Sequence, residues 1–185
     1  MRLSIALGAC LIAGCGTSPP TRFFTLDATA PPIHREAHGA PVEVNAVHVP
    51  PTLDRQTIVR GEIDHQLTIS SQDRWGADFG ELVRRVLTQD LEARLPAGMV
   101  LPPDTPAPDN ARGLVVEILA FQPKGSDIVL DADWTLLEGA PARPALQRSV
   151  HLQEAAGSST NDQVAAMSRL LGQLADRIAE EIARN

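Results

Sequence analysis

The chain has no tyrosine, and four phenylalanines and two tryptophans supply all of its aromatic residues. That scarcity excludes an aromatic core, so the core must be built from Leu, Val, Ile and Ala. Only two cysteines are present, Cys10 and Cys15, both near the amino terminus. Their placement excludes a disulfide framework and leaves no thiol catalysis or Cys-based metal site further along the chain. Positive charge is also short: 16 Lys and Arg stand against 23 Asp and Glu, a formal net charge of −7. A surface that holds nucleic acid or anionic lipid through basic patches is therefore not expected. The apolar run near the amino terminus falls well below the roughly 20 residues that a membrane-spanning helix needs. What remains, 43% hydrophobic and 21% charged residues over 185 positions, suits one folded domain.

The amino terminus reads MRLSIALGACLIAGCGTSPP. Arg2 is a minimal positive region, and Leu3 to Ile12 is a short apolar stretch, as in a secretory signal. Ile12-Ala13-Gly14-Cys15 then matches the lipobox, an aliphatic and two small residues before Cys. Small side chains let a signal peptidase reach the bond before Cys15. The thiol takes a diacylglycerol, and the freed amino group takes a further acyl chain such as palmitate. Leu7-Gly8-Ala9-Cys10 fits more loosely, with a shorter apolar stretch before it. A plain secretory signal cut near Gly16 is the alternative. The expected organisation is a signal peptide at 1–14, a lipidated tether at 15–21 and a periplasmic α+β domain at 22–185. Gly16, where inner-membrane retention favours Asp, points to the outer membrane.

Along the domain, Phe23 to Leu26 predicts a first strand, and 28–41, rich in Pro and Gly, predicts a loop. Val42 to Val49 alternates and predicts a strand ended by Pro50-Pro51. Thr57 to Arg60 and Gln66 to Ile69 predict two short strands with Gly61 between them. Asp78 followed by Glu81 reads as a capping box opening a helix. Its apolar stripe is Phe79, Leu82, Val83, Val86, Leu87, Leu91 and Leu95, and Pro96 and Gly98 end it. Met99 to Leu101 predicts a short strand, and 114–121, 127–137 and 145–155 predict a three-stranded meander. Thr160 and Gln163 read as a second capping box. Val164, Met167, Leu171, Leu174, Ile178 and Ile182 follow as the stripe of a closing helix. The fold class is thus α+β: one compact domain with a mixed sheet and two amphipathic helices. Each half runs strands then a helix, which allows a quasi-duplicated arrangement.

No constellation demands an enzyme. There is no Gly-x-Ser-x-Gly elbow, no phosphate loop and no Gly-x-Gly-x-x-Gly. His34 and His38 have a ligand-like spacing, but in a loop, so no metal is expected, and no cofactor. Asp131 and Asp133 share a strand face and read as solvated. The more unusual stretch is Pro50-Pro51-Thr52-Leu53-Asp54-Arg55, continuing to Arg60, with Arg74-Trp75 before the first helix. Asp54, Arg55, Arg60, Arg74 and Trp75 are the candidate docking residues. The alternative is bracing: the arginines pair with Asp54 or Asp73, and Trp75 roofs the core.

These pieces together resemble the PqiC/YmbA-type ABC-transport auxiliary lipoproteins. The resemblance rests on the lipobox at Cys15, Pro20-Thr21-Arg22-Phe23-Phe24-Thr25-Leu26, and Leu53-Asp54-Arg55. It continues through Ile58-Val59-Arg60, Arg74-Trp75 and the helix with Val86-Leu87 and Leu91. Departures are Phe23 and Phe24 where Tyr is frequent, Gln56 where Pro is frequent, and Gly76-Ala77-Asp78 after Arg74-Trp75. The resemblance implies an outer-membrane-anchored, non-enzymatic partner of an MCE-type protein and its ABC transporter, which move lipid across the envelope. It also allows homo-oligomerisation. A lipoprotein that activates a cell-wall synthase is the rival reading from another class.

Overall fold

A computed structural model describes residues 19–29, 34–63, 66–103 and 105–184. Cys15 and the signal segment lie outside the described residues. Among the described residues ten elements follow in order: β1 (Arg22–Phe24), β2 (Val42–His48), β3 (Thr57–Ile63), β4 (Gln66–Trp75), α1 (Phe79–Arg94), β5 (Val100–Leu101), β6 (Arg112–Lys124), β7 (Asp127–Glu138), β8 (Arg143–Ala155) and α2 (Thr160–Arg184). They form two mixed sheets with two helices, the expected α+β class. The smaller sheet runs β1-β4-β3, with β1 parallel to β4 and β3 antiparallel to it. The larger runs β5-β2-β6-β7-β8. Here β2 is parallel to both neighbours, and β6, β7 and β8 are the antiparallel meander.

The two halves of the chain keep their strand-then-helix order but interleave in space. Strand β2, from the first half, sits inside the sheet built by the second. The smaller sheet touches the larger through β3 and β6.

Alternation explains the meander. Ile128, Leu130, Ala132, Trp134 and Leu136 of β7 are buried, with Asp131, Asp133 and Thr135 on the other face. Strand β6 slips by one residue between Ile118 and Ala120. Leu119 is the extra residue of that bulge and is 52% exposed, and Phe121 returns to the core.

Both helices bury their expected stripes. All seven apolar residues predicted for α1 and all six for α2 are buried. Helix α1 packs on β2 and β5, α2 packs on β7 and β8, and the helices pack on each other. Each Leu or Ile so placed contributes about 1.5–3 kcal/mol. Helix α2 is buried over more than a stripe: Ala166, Leu170, Ala175 and Ala179 are also enclosed. The three alanines among them let it lie close to its neighbours.

Three local expectations are corrected. Gly61 is inside β3, opposite Thr68, and β4 runs on through Arg74 and Trp75. Asp78 is the first cap as predicted, but its side chain makes no cap hydrogen bond, and Glu81 pairs with Arg84 at 3.1 Å. The second capping box is one residue earlier than read. Ser159 Oγ accepts from the Asp162 amide (3.1 Å), and the Ser159 amide donates to Asp162 Oδ2 (3.3 Å). Thr160 is not free to cap, because its hydroxyl is engaged by Asp73 and Arg60.

Candidate docking site

The turn after β2 is shaped by its two prolines. The amides of Leu53 and Asp54 both donate to the Pro50 carbonyl (2.8 and 3.0 Å), and the Arg55 amide donates to the Leu53 carbonyl (2.8 Å). Leu53 is buried and pins the turn to the core. The next two residues are turned outward: Asp54 is exposed and Arg55 half-buried. The amide of Trp75 donates to the Gln56 carbonyl (2.7 Å), which fixes the far end.

This turn, the end of β2 and the start of α1 enclose a cleft of about 510 Å³. Val47, Val49 and Phe79 supply apolar wall, and His48, Asp54, Arg55, Asp78 and Glu81 supply charge or potential charge. Phe79 rests on Trp75 with ring centroids 5.0 Å apart and on Phe121 at 5.8 Å. The cleft therefore has a rigid aromatic base. Asp78 and Glu81 sit at the positive end of the α1 dipole. Arg55 Nε is buried without a hydrogen-bond partner. Such a wall combines one under-used cation with three carboxylates, and it fits a polar protein segment better than a small apolar ligand.

The other candidate residues lie elsewhere. Arg60 reaches α2: its Nη1 donates to Thr160 Oγ1 (2.5 Å) and its Nη2 to the Ser158 carbonyl. Thr160 Oγ1 in turn donates to Asp73 Oδ2 (2.5 Å), and Arg22 Nε donates to Asp73 Oδ1 (2.7 Å). Burial of Asp73 would raise its pKa. Hydrogen bonds from Thr160, Arg22 and Ser70, with the Arg22 charge, outweigh it and hold the carboxyl below its usual range. This junction ties β1, β3 and β4 to the start of α2. Arg74 spends its guanidinium on the carbonyls of Ser70, Ser71 and Asp73. Trp75 is 6% exposed and roofs the core. The structure thus brings Asp54 and Arg55 together in a cleft, and places Arg60 and Arg74 in internal hydrogen bonds.

Sequence reading missed a second polar node. Arg94 and Asp90, both essentially enclosed, pair at 3.1 Å within α1, and Arg94 Nε donates to Asp176 of α2 (2.8 Å). The Thr29 amide donates to Asp90 Oδ1 (2.8 Å). Burial pushes the Asp90 carboxyl up, despite these bonds, and its Oδ2 has no partner. Gly172 of α2 leaves room for this node, since a Cβ there meets Thr29 Oγ1 at 2.0 Å and Arg94 Nη2 at 3.1 Å. Among the described residues no three His, Cys, Asp or Glu side chains are grouped to hold a metal. Nor is any described helix long and apolar enough to cross a membrane.

Residues 24–179 match the family of ABC-type transport auxiliary lipoprotein components. The chain belongs to that family. It is therefore a lipoprotein of a transport system, in the auxiliary part of that system. No curated protein matches it in sequence. Among solved structures it is similar to a crystal structure of an uncharacterised protein, at 21% identity and a TM-score of 0.72, covering 89% of this chain and 99% of that one. It is also similar to XCC0632 from Xanthomonas campestris, at 12% identity and a TM-score of 0.66, covering 88% and 93%. At these identities the likeness shows the fold of this auxiliary lipoprotein.

Proposed function

We propose that this lipoprotein is the outer-membrane-anchored auxiliary component of an MCE-type ABC lipid transport system, lipidated at Cys15, and that it works by docking and not by turnover. Family membership supports the transport role. The observation that carries the docking mode is the cleft at the start of α1, lined by exposed Asp54 and by Arg55, whose buried Nε has no hydrogen-bond partner, beside a rigid aromatic base. The partner segment it fits presents both an acceptor for Arg55 and a donor for the carboxylates. The partners in this reading are the MCE-type protein and its ABC transporter, reached from the periplasmic face of the outer membrane.

The test is co-purification of the full-length lipoprotein with an MCE-type protein and ABC transporter of the same organism. Arg55→Ala is expected to lower capture at least tenfold with little change in melting temperature, because the half-buried Arg55 side chain makes no hydrogen bond among the described residues that the fold would lose. Arg60→Ala is expected to lower the melting temperature, through its bonds to Thr160 and Ser158. Full capture by Arg55→Ala overturns the cleft as the docking site. No capture by the wild type overturns the partnership. Cys15→Ala in the same strains is expected to leave an uncleaved precursor, and an unmodified mature terminus in the wild type refutes the anchor.

A further inference from the structure

Strand β8 ends the larger sheet, and among the described residues no strand lies beyond it. It is 13 residues long, more than twice the usual length of about five or six. Edge strands are ordinarily protected by a proline, a bulge or lysines, because their free backbone groups template a further strand. Here the one proline, Pro144, and the one register slip against β7 sit together at the start of the strand, and no lysine follows. From Leu146 to Ala155 the pairing with β7 is unbroken. Between Arg148 and Glu154 the backbone groups that point away from β7 have no hydrogen-bond partner among the described residues.

The same stretch is complementary to itself. Leu146, Val150 and Leu152 pack against the core, and Arg148 and Glu154 reach α2 on that same face. Gln147, Ser149, His151 and Gln153 are exposed on the other. A two-fold axis normal to a sheet keeps every residue on its own face, so a second β8 meets the first antiparallel about one central residue. With His151 at the centre, Arg148 faces Glu154 of the copy at both ends, Val150 faces Leu152, and Ser149 faces Gln153. Moving the centre to Val150 sets Arg148 against Leu152 and Glu154 against Leu146. Moving it to Leu152 sets Glu154 against Val150 and Arg148 against Ala156. Only the first of these registers matches charge with opposite charge and apolar with apolar.

We infer that β8 is a self-association edge whose partner is a second copy of this chain. The two copies join into one continuous sheet, five strands from each. Val150 and Leu152, half-buried at the free edge, are covered by their counterparts. The Arg148–Glu154 pairs fix the register more than the affinity, since exposed ion pairs contribute little. Arg148 is available for this role, being about half exposed and 3.5 Å from Glu181. Glu154 keeps a lone pair on each oxygen after accepting from Arg169 and Gln173. A contact of this symmetric kind closes at two copies. It uses no residue of the α1 cleft, so it stands or falls apart from the docking reading.

The test uses the full chain in detergent, with His151→Cys and Gln147→Cys as separate variants and the wild type, which carries Cys10 and Cys15, as control. Under mild oxidation His151→Cys is expected to give a disulfide-linked dimer, because residue 151 meets its own copy. Gln147→Cys lies about 26 Å along the strand from its copy in this register and is expected to give none, like the wild type. Ser149→Cys chains mixed with Gln153→Cys chains are expected to cross-link to each other and not to themselves, which keeps the test independent of position 151. Sedimentation of the unoxidised wild type is expected to give the mass of two chains. Arg148→Glu sets like charges against Glu154 at both ends, and is expected to raise the dissociation constant at least tenfold with an unchanged circular dichroism spectrum. A monomeric wild type, with or without a foreign strand on β8, overturns self-association. Equal cross-linking of His151→Cys and Gln147→Cys, or an unchanged dissociation constant in Arg148→Glu, overturns the register. A larger assembly that cross-links neither at 151 nor between 149 and 153 overturns the edge as the contact.

Discussion

Two buried carboxylates respond to protons in opposite senses. Asp90 carries a raised pKa because burial disfavours its charge, and Arg94 is what keeps it tolerable. Arg94→Met leaves that charge uncompensated and is expected to cost about 3–5 kcal/mol, read from urea denaturation midpoints. Adding Asp90→Asn recovers part of the loss, and a double variant no more stable than Arg94→Met alone refutes the pairing. Asp73 is the reverse case. Its folded-state pKa lies below the usual 3.8, so its contribution is fully present above that value and is lost as pH falls through the lowered one. The stability gap between wild type and Asp73→Asn is therefore expected to narrow on acidification from pH 6 to pH 3. A gap that stays constant over that range rules out the network assigned to Asp73.

Helix periodicity carries a signal that strands of this protein carry less well. Every stripe residue named for α1 and α2 is buried, and Leu87 and Leu174 are fully so. Leu87→Asp and Leu174→Asp each bury an unpaired carboxylate and are expected to cost several kcal/mol, or to abolish folding, by circular dichroism. Tolerance at either position contradicts the packing of that helix. Strand ends were less legible. The extent of the β3–β4 hairpin past Gly61 is hard to read in sequence because its outer part is polar, with Thr68, Ser70 and Ser71 giving no alternation. Asp90 and Arg94 escaped notice because charged residues in a helix read as solvent-facing, and only the approach of Thr29 and Asp176 makes them an interior pair. The docking candidates were half-legible for a related reason. The Pro-Pro turn marks Asp54 and Arg55 locally. The partners of Arg60 and Arg74 depend on a strand register and on a helix a hundred residues away.

In the whole molecule, the position of β2 has a consequence for how the protein is made. Its partner residues on the β6 side are Arg112 to Glu117, and on the β5 side Val100 and Leu101. A chain made amino terminus first therefore exposes β2 with both edges unpaired until β5 appears about sixty residues later, and with its β6 edge open until about seventy residues later. Its amino-terminal half is not a folding unit. A fragment ending before β6 is expected to show no protected amides in β2 by hydrogen exchange, and protection there contradicts a single cooperative domain. The arrival of β6, the first strand of the meander, decides when an exposed and aggregation-prone strand becomes an interior strand of the sheet.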